Sequence, residues 1–443
     1  IPIVIISGQV PTTIIGTDGF QEIDAVGISR PCTKHNYLVN KIEDLPRIIK
    51  EAFHLASTGR PGPVHVDIPK DITAQIGEFI YPSEVNMPTY KPTLNYNKKQ
   101  LKRAMEAISN AKKPLLYIGG GAILSNCGYE IRDLAKKLNI PAVETLMARG
   151  VMGDENPLFF GMLGMHGEYA ANMAAHETDL LISLGARFDD RVTGRLDEFA
   201  SKAKVIHIDI DPTSIAKLVV ADYPIVGDLK LTVEAMIEDS ENYEINDFSN
   251  WVELLKDYRE KEPLRYIDTD DLIKPQWPIQ RVGKILGDNA IISTDVGQHQ
   301  MWTAQFFPFS HPRQWITSGG LGTMGFGLPA ALGAARAFKG TNRVVVNFTG
   351  DGSILMNIQE LMTCSEYELP VINIVLNNNY LGKVRQWQTM FYENRLAETD
   401  LTAQPKFKML AEAFNCLGYT VSTKKEFDEA FKDAVEKRKP AMI

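Results

Sequence analysis

Between Val344 and Tyr380 the chain reads VVVNFTGDGSILMNIQELMTCSEYELPVINIVLNNNY: a strand, a Gly-Asp-Gly turn, a helix, a second strand and an Asn-Asn pair. In a parallel α/β sheet the carboxyl ends of both strands reach one edge, where ligands bind. Asp351 and Asn378 therefore converge although 27 positions separate them. A carboxylate oxygen and an amide oxygen are hard donors suited to Mg²⁺, which keeps substrate phosphates and water as its other ligands. Gly350 and Gly352 permit close backbone approach to an anion, and a helix starting at Ser353 presents its first amides to the same group. A lone Gly-Asp-Gly is only a turn, and Asn-Asn after a strand is often only a loop. Their combination on adjacent strands predicts a metal-bridged diphosphate.

The elements that must carry these residues follow from pattern and length. The 443 residues hold 47 Lys+Arg against 55 Asp+Glu, a formal charge of −8, with 44% apolar and 23% charged residues. That composition excludes a disordered chain, collagen and a long coiled coil, and the length asks for several cores. Residues 1–80 alternate short apolar strands with helical pattern and read as the back part of an α/β domain. Residues 81–98, rich in Pro, Asn and Tyr, read as a linker. Residues 99–237 alternate again as a second Rossmann-like unit, 238–277 read as a charged connector, poorly periodic apart from the helix WVELLKDYREK, and 278–443 as a third parallel α/β unit. No basic stripe interleaves with aromatic residues, so neither nucleic acid nor an anionic membrane surface is an expected partner. No apolar run approaches the ~18 residues of a membrane span. Cys32, Cys127, Cys364 and Cys416 are scattered without a CxxC pair, which fits reduced core thiols in a cytosolic-type compartment. Ile1–Ser7 reads as a buried strand with nothing before it, and Pro440–Ile443 opens a strand that stops at once. The expectation is a fragment cut at both ends.

The Gly-Asp-Gly to Asn-Asn segment is similar to the thiamine diphosphate motif, and the whole chain resembles the catalytic large subunit of the acetohydroxyacid synthase (acetolactate synthase) family. The resemblance is carried, in order, by GQVPTTIIGTDGFQEIDAVGISRPCTKHN, GRPGPVHVDIPKD, SLGARFDDRVTG, STDVGQHQMW, SGGLGTMGFGLPAALGA and VRQWQ. It implies three Rossmann-like parallel-sheet domains, the first incomplete: pyrimidine-binding, FAD-binding-like, and diphosphate- and metal-binding. It also implies a transferase of branched-chain amino-acid biosynthesis. Such an enzyme decarboxylates pyruvate on thiamine diphosphate and passes the two-carbon unit to pyruvate or 2-oxobutyrate, giving 2-acetolactate or 2-aceto-2-hydroxybutyrate.

Residue by residue, the resemblance makes Asp351, Asn378 and the main-chain oxygen of Tyr380 the Mg²⁺ ligands. Val296, Gly297, Gln298 and His299 fall, with Gly350, Gly352 and Ser353, where the family grips the diphosphate. Gly322 matches a backbone acceptor for the aminopyrimidine, and Met324 the apolar wedge that bends the cofactor. In the central domain Gly119, Gly120 and Gly121, with Thr145, Leu146, Met165, His166, Gly185, Arg187, Asp209 and Ile210, match a flavin and adenosine pocket that Arg60 reaches from the first domain. FAD there is a structural occupant. Arg191 matches the cation for a 2-oxo acid carboxylate, although a salt bridge with Asp189 or Asp190 is the plain reading of the residues alone. Trp387 matches the selector for 2-oxobutyrate. Phe20, Gln21 and Lys70 match the first-domain face of the access channel, and Pro11 its rim.

The family's activating glutamate has no counterpart among these residues; it is expected on a segment preceding Ile1. The resemblance further implies a homodimer or homotetramer, with the cofactor between the first domain of one subunit and the third of another, and a small regulatory subunit. A cytoplasmic, bacterial-type location is expected, with an organelle as the other possibility. The competing readings are another thiamine enzyme of pyruvate oxidase or glyoxylate carboligase type, or a non-catalytic subunit. A nicotinamide dehydrogenase is disfavoured, because no G-x-G-x-x-G follows a strand with an acidic residue about 20 positions on.

Overall fold

All 443 residues are described by a computed structural model. Its named strands form three sheets in which every pairing is parallel. The first sheet contains β1 (Ile3–Gln9), β2 (His35–Leu38) and β3 (Pro63–Pro69) in the order β1-β3-β2. Against it lies the helix Leu45–Ser57, whose buried Ile48, Ala52 and Leu55 recur at helical spacing. Contrary to the sequence expectation, β1 is not buried. It is an edge strand paired only with β3, and Ile3, Ile5 and Ile6 are 48%, 42% and 59% exposed.

Residues 81–97 contain no helix or strand, and Asn97 caps the next helix, Lys98–Asn110, by accepting from the amides of Lys99 and Gln100. The central sheet has β4 (Pro114–Ile118), β5 (Ala142–Glu144), β6 (Phe159–Met162), β7 (Leu180–Leu184), β8 (Lys204–Asp209) and β9 (Tyr223–Val226). Their spatial order is β6-β5-β4-β7-β8-β9. Counted within the domain this is 3-2-1-4-5-6, the order of dinucleotide-binding sheets, with the direction of winding reversing between β4 and β7. The stretch read as a connector differs in its first part. Its helix Ser249–Lys261 drives Trp251, Val252 and Leu255 into the central core, and the Trp251 indole donates to the Pro114 carbonyl at 3.0 Å. Charged residues on its outer face masked that apolar stripe.

The third sheet has β10 (Ala290–Thr294), β11 (Trp315–Thr317), β12 (Val344–Gly350), β13 (Val371–Leu376), β14 (Leu417–Gly418) and β15 (Ala441–Met442), in the order β11-β10-β12-β13-β15-β14. Here the winding reverses between β10 and β12. Both faces are covered, one around Phe348, Phe427 and Phe431, the other around Leu361, Val371 and Ala411. This explains why these strands read as continuous apolar runs. Three cysteines are buried as expected, but Cys32 is exposed, and none forms a disulfide.

The central and third domains are locked together by Arg149. Its fully buried guanidinium donates to the Ala304 carbonyl at 2.9 Å and to the carboxylates of Glu144 (3.1 Å) and Asp154 (2.8 Å), and it lies over the rings of Phe159 and Phe309. Burial raises the Glu144 carboxyl to about 7, and Arg149 and the amides of Met152 and Gly150 oppose that rise. The interface also includes the Trp315 indole donating to the Leu146 carbonyl and Arg132 donating to the Ser310 carbonyl.

Candidate active site at two sheet edges

Most of the segments singled out from sequence follow strands at or next to the two points where winding reverses. Val296–His299 comes after β10, Gly350–Ser353 after β12 and Asn378 after β13, so topology alone brings them to one edge. They enclose a cavity of about 80 Å³ with Met324, Tyr380 and Leu381. Asp351 is buried, and its Oδ1 accepts from the Gly352 amide at 3.0 Å. Burial raises its pKa, so a cation beside it would be electrostatically welcome. Asn378 Oδ1 accepts from the Tyr380 amide at 3.0 Å and keeps a second lone pair. No group of three or more His, Cys, Asp and Glu side chains is present. The oxygen set of one carboxylate, one amide and one carbonyl therefore suits a cation that draws its remaining ligands from a phosphate.

Several details differ from the sequence expectation. The helix after Gly350 begins at Asp351 rather than Ser353 and is a single turn, Asp351–Ile354. So short a helix lacks an extended dipole, and individual amides are what it offers. Gly350 is small because of the His299 ring: a Cβ there would lie 3.0 Å from Nδ1. At Gly352 a Cβ would meet Leu381 and Leu401 at 2.9 and 3.0 Å. Gln298 is committed elsewhere, donating to Gln386 at 3.3 Å and covering Gly382. His299 is buried with its Nε2 atom lacking any partner, and burial lowers its pKa to about 3, so it is a neutral imidazole. An orphaned buried nitrogen on a residue that shares the cavity lining with Asp351 is what a diphosphate oxygen or its bound water would complete. Gly322 has φ +67°, a left-handed conformation that favours glycine, and a Cβ there would make only ordinary contact with Val296 at 3.8 Å.

At the central sheet Gly119–Gly121 follow β4 and Gly185 follows β7, on either side of the reversal. The glycines serve each other as well as a ligand: a Cβ on Gly119 would fall 2.3 Å from the Gly185 carbonyl oxygen, and one on Gly121 2.7 Å from the Gly185 Cα. Their loops line a cleft of about 1050 Å³ together with Arg60, Thr145, Leu146, Met165, His166, Arg187, Asp209 and Ile210. Every residue matched to the flavin pocket is thus brought to one cavity, large enough for a dinucleotide. Arg60 crosses from the first domain to pair with Asp211 at 3.0 Å, and Arg187 pairs with Asp189. Burial raises the Asp209 pKa, and the Asp211 amide opposes this. His207, buried beneath, hydrogen-bonds the Ala186 carbonyl at 3.0 Å and so pins the Gly185 turn; burial lowers its pKa to about 4.

The same cleft continues past Arg191, Val296, Gly297 and Gly322 to Lys383, which also lines the smaller cavity. Arg191 is exposed and weakly paired with Asp190 at 3.6 Å, while Asp189 caps its helix. Trp387 stands against it from the helix Gly382–Phe391. Pro11, Phe20, Gln21 and Lys70 line neither cavity; Phe20 is 91% exposed, and Gln21 adopts φ +65° on the same surface loop. Sequence reading missed Lys383, because a lysine two residues beyond a loop resembles any solvated helix start.

A family profile described as the thiamine pyrophosphate enzyme C-terminal TPP binding domain matches residues 295–443, and the thiamine pyrophosphate enzyme central domain matches 101–236. The chain is 46% identical over 442 residues to the acetolactate synthase isozyme 3 large subunit of Escherichia coli (strain K12), covering 98% of this chain and 77% of that one. The chain belongs to the acetolactate synthase large-subunit family. It is also 46% identical to the acetolactate synthase large subunit of Haemophilus influenzae over 98% of this chain and 76% of that one. With the acetolactate synthase of Mycobacterium bovis it shares 47% identity over 94% and 69%. The C-terminal match begins at Asp295, immediately before the Val296–His299 segment of this acetolactate synthase relative, and includes Asp351 and Asn378. No helix is long and apolar enough to cross a membrane.

Proposed function

We propose that the chain acts as an acetolactate synthase large subunit, decarboxylating pyruvate and joining its two-carbon unit to pyruvate or 2-oxobutyrate. The observation that carries this is the convergence of Val296–His299, Asp351 and Asn378 at the winding reversal of the third sheet, within a chain 46% identical to acetolactate synthase large subunits. Thiamine diphosphate, when bound, supplies the nucleophilic carbon and the electron sink for loss of carbon dioxide. Asp351, Asn378 and the Tyr380 carbonyl would hold Mg²⁺ against its diphosphate, and His299 would present a neutral nitrogen to the same group. Gly322 would accept from the cofactor's amine, and Met324, half-buried in the wall of the smaller cavity, would set its bend. Arg191 binds the acceptor carboxylate, and Trp387 offers the apolar face that distinguishes the larger acceptor.

FAD is the fitting occupant of the larger cleft, with Arg60, Arg187 and Asp209 as the polar groups that orient it. The reaction moves no electrons to a flavin, so its service there is to complete the wall between the central and third domains. Pro11, Phe20, Gln21 and Lys70, apart from both cavities of their own chain, would face the site of a second copy, which supports a homodimer as the active unit. A small regulatory partner is the counterpart of a large subunit. Neither cavity is lined by a glutamate, so the activating acid of this reading is supplied from outside these linings.

The test is acetolactate formation from pyruvate with and without thiamine diphosphate, Mg²⁺ and FAD. Product that requires thiamine diphosphate and Mg²⁺ supports the reading. Absence of product from protein carrying bound cofactor would overturn it in favour of another thiamine enzyme or a non-catalytic subunit. Retention of a flavin absorption band after purification tests the FAD assignment separately.

A further inference from the structure

Three basic side chains from two domains, Lys383, His166 and Arg191, meet where the two cavities join, and their one carboxylate partner there is the loosely held Asp190. The Lys383 Nζ stands 3.0 Å from His166 Nε2 and 4.9 Å from the centre of the Trp387 ring, and the Arg191 guanidinium lies 5.5 Å from the same ring. The acids nearby are engaged or distant. Asp189 pairs with Arg187, Asp400 with Arg385 at 3.0 Å, and Asp190 reaches Arg191 only at 3.6 Å with both side chains largely in solvent. Lys383 forms no ion pair at all, and its amine is directed to a histidine that is itself neutral. Burial, then Lys383 and Arg191, lower His166 to about 4. Burial and Arg191 bring Lys383 to about 8, still protonated at neutral pH. Lys383 also occupies the first turn of the helix Gly382–Phe391, where the helix dipole disfavours a cation. A positive charge placed against its local electrostatics and lining two cavities has the character of a binding group that an anion completes.

We propose that Lys383 is a second substrate-binding cation, which joins Arg191 in gripping the carboxylate of the acceptor 2-oxo acid beside the Trp387 ring. The inference rests on the acetolactate synthase reading and on Arg191 as the acceptor site. The acceptor rather than the donor is indicated by the chemistry. The donor must lose its carboxylate as carbon dioxide, so two fixed cations on that group would stabilise the ground state more than the transition state and slow the step. The acceptor carries its carboxylate unchanged into product, so a firm grip there costs nothing in the bond-forming step. The two cations divide the work. Arg191 offers a planar fork that sets orientation, and Lys383 a point charge, held in place by His166.

The experiment compares the wild-type holoenzyme with Lys383→Met, Lys383→Gln and Lys383→Arg at saturating pyruvate and varied 2-oxobutyrate, measuring 2-aceto-2-hydroxybutyrate. Single-turnover release of carbon dioxide from stoichiometric pyruvate is followed in parallel. The expected result is an acceptor KM raised about ten-fold in the Met and Gln variants, the scale of one lost charge-assisted hydrogen bond. Carbon dioxide release should change far less, and Arg should restore most of the affinity. An unchanged acceptor KM in both neutral variants, or equal losses in acceptor KM and carbon dioxide release, overturns the proposal while leaving the acetolactate reading intact. Wild-type holoenzyme that makes no acetolactate overturns the reading and the proposal together.

Discussion

The Arg191 guanidinium stands over the ring of Trp387, 5.5 Å from its centroid, joining a turn of the central domain to a helix of the third. In the proposed reading the cation assigned to the acceptor carboxylate and the indole assigned to the rest of the acceptor are thereby one unit. Trp387→Leu is expected to lower the preference for 2-oxobutyrate over pyruvate by on the order of ten-fold, the range of a pocket losing contact with one methylene. It should also raise the acceptor KM, because Arg191 loses its platform. The ratio of the two products under competition checks this, and an unchanged ratio would remove Trp387 as selector.

Asp351 is the only carboxylate lining the smaller cavity. Asp351→Ala is expected to weaken Mg²⁺-dependent thiamine diphosphate binding by more than 100-fold, about 2.7 kcal/mol or more by the usual conversion. Calorimetric titration with the cofactor, with and without chelator, is the measurement. Normal metal-dependent affinity would refute the ligand assignment.

Gly121 and Gly333 should respond in opposite directions to the same change. A Cβ on Gly121 meets the Gly185 backbone at 2.7 Å, so Gly121→Ala is expected to cost roughly 1–3 kcal/mol and to displace the flavin. Gly333 is exposed in the helix Gly327–Ala337 with nothing within 4 Å of its Cβ position. Gly333→Ala should stabilise by about 0.5–1 kcal/mol through the unfolded state. Melting temperatures and flavin absorbance of the two variants decide the matter.

His207 gives a pH dependence of known sign. Its folded pKa is lowered by burial to about 4 from 6.5, so the unfolded chain binds the additional proton between those values. Its contribution to stability is therefore constant above about 6.5 and is lost as pH falls toward 4. Relative to a His207→Gln variant, the wild type should lose roughly 1.4 kcal/mol per pH unit across that window. Paired denaturation curves at pH 7, 6 and 5 measure the difference, and a constant gap would contradict the buried neutral imidazole.

The edge proposed to hold the metal was legible in sequence because strand, turn and helix there recur at short range, and parallel pairing then leaves one place for Asp351 and Asn378 to meet. The central cleft, proposed to hold the flavin, was legible only through resemblance, since a run of three glycines states nothing about a partner turn more than 60 residues away. That partner is Gly185. What escaped entirely depended on contacts across domains. The Lys383–His166 hydrogen bond links residues 217 positions apart, and neither residue type is unusual where it stands. The helix Ser249–Lys261 was legible as a helix in WVELLKDYREK, but its place was not: three buried apolar positions among charged ones give a weak stripe, and only packing on the central sheet shows where it docks.

Arg149 has a bearing on how the molecule comes apart. Separating the central and third domains would take from the fully buried Arg149 guanidinium its bond to the Ala304 carbonyl and its contact with the Phe309 ring, leaving only its pairs with Glu144 and Asp154 inside the central domain. Partial opening along that seam is therefore disfavoured, and the two domains should melt as a single cooperative block. The first domain is tied to the central one by the partly exposed Arg60–Asp211 pair and can release independently. Hydrogen exchange would register this as two tiers of protection, with the boundary falling in the strand-free stretch before Lys98.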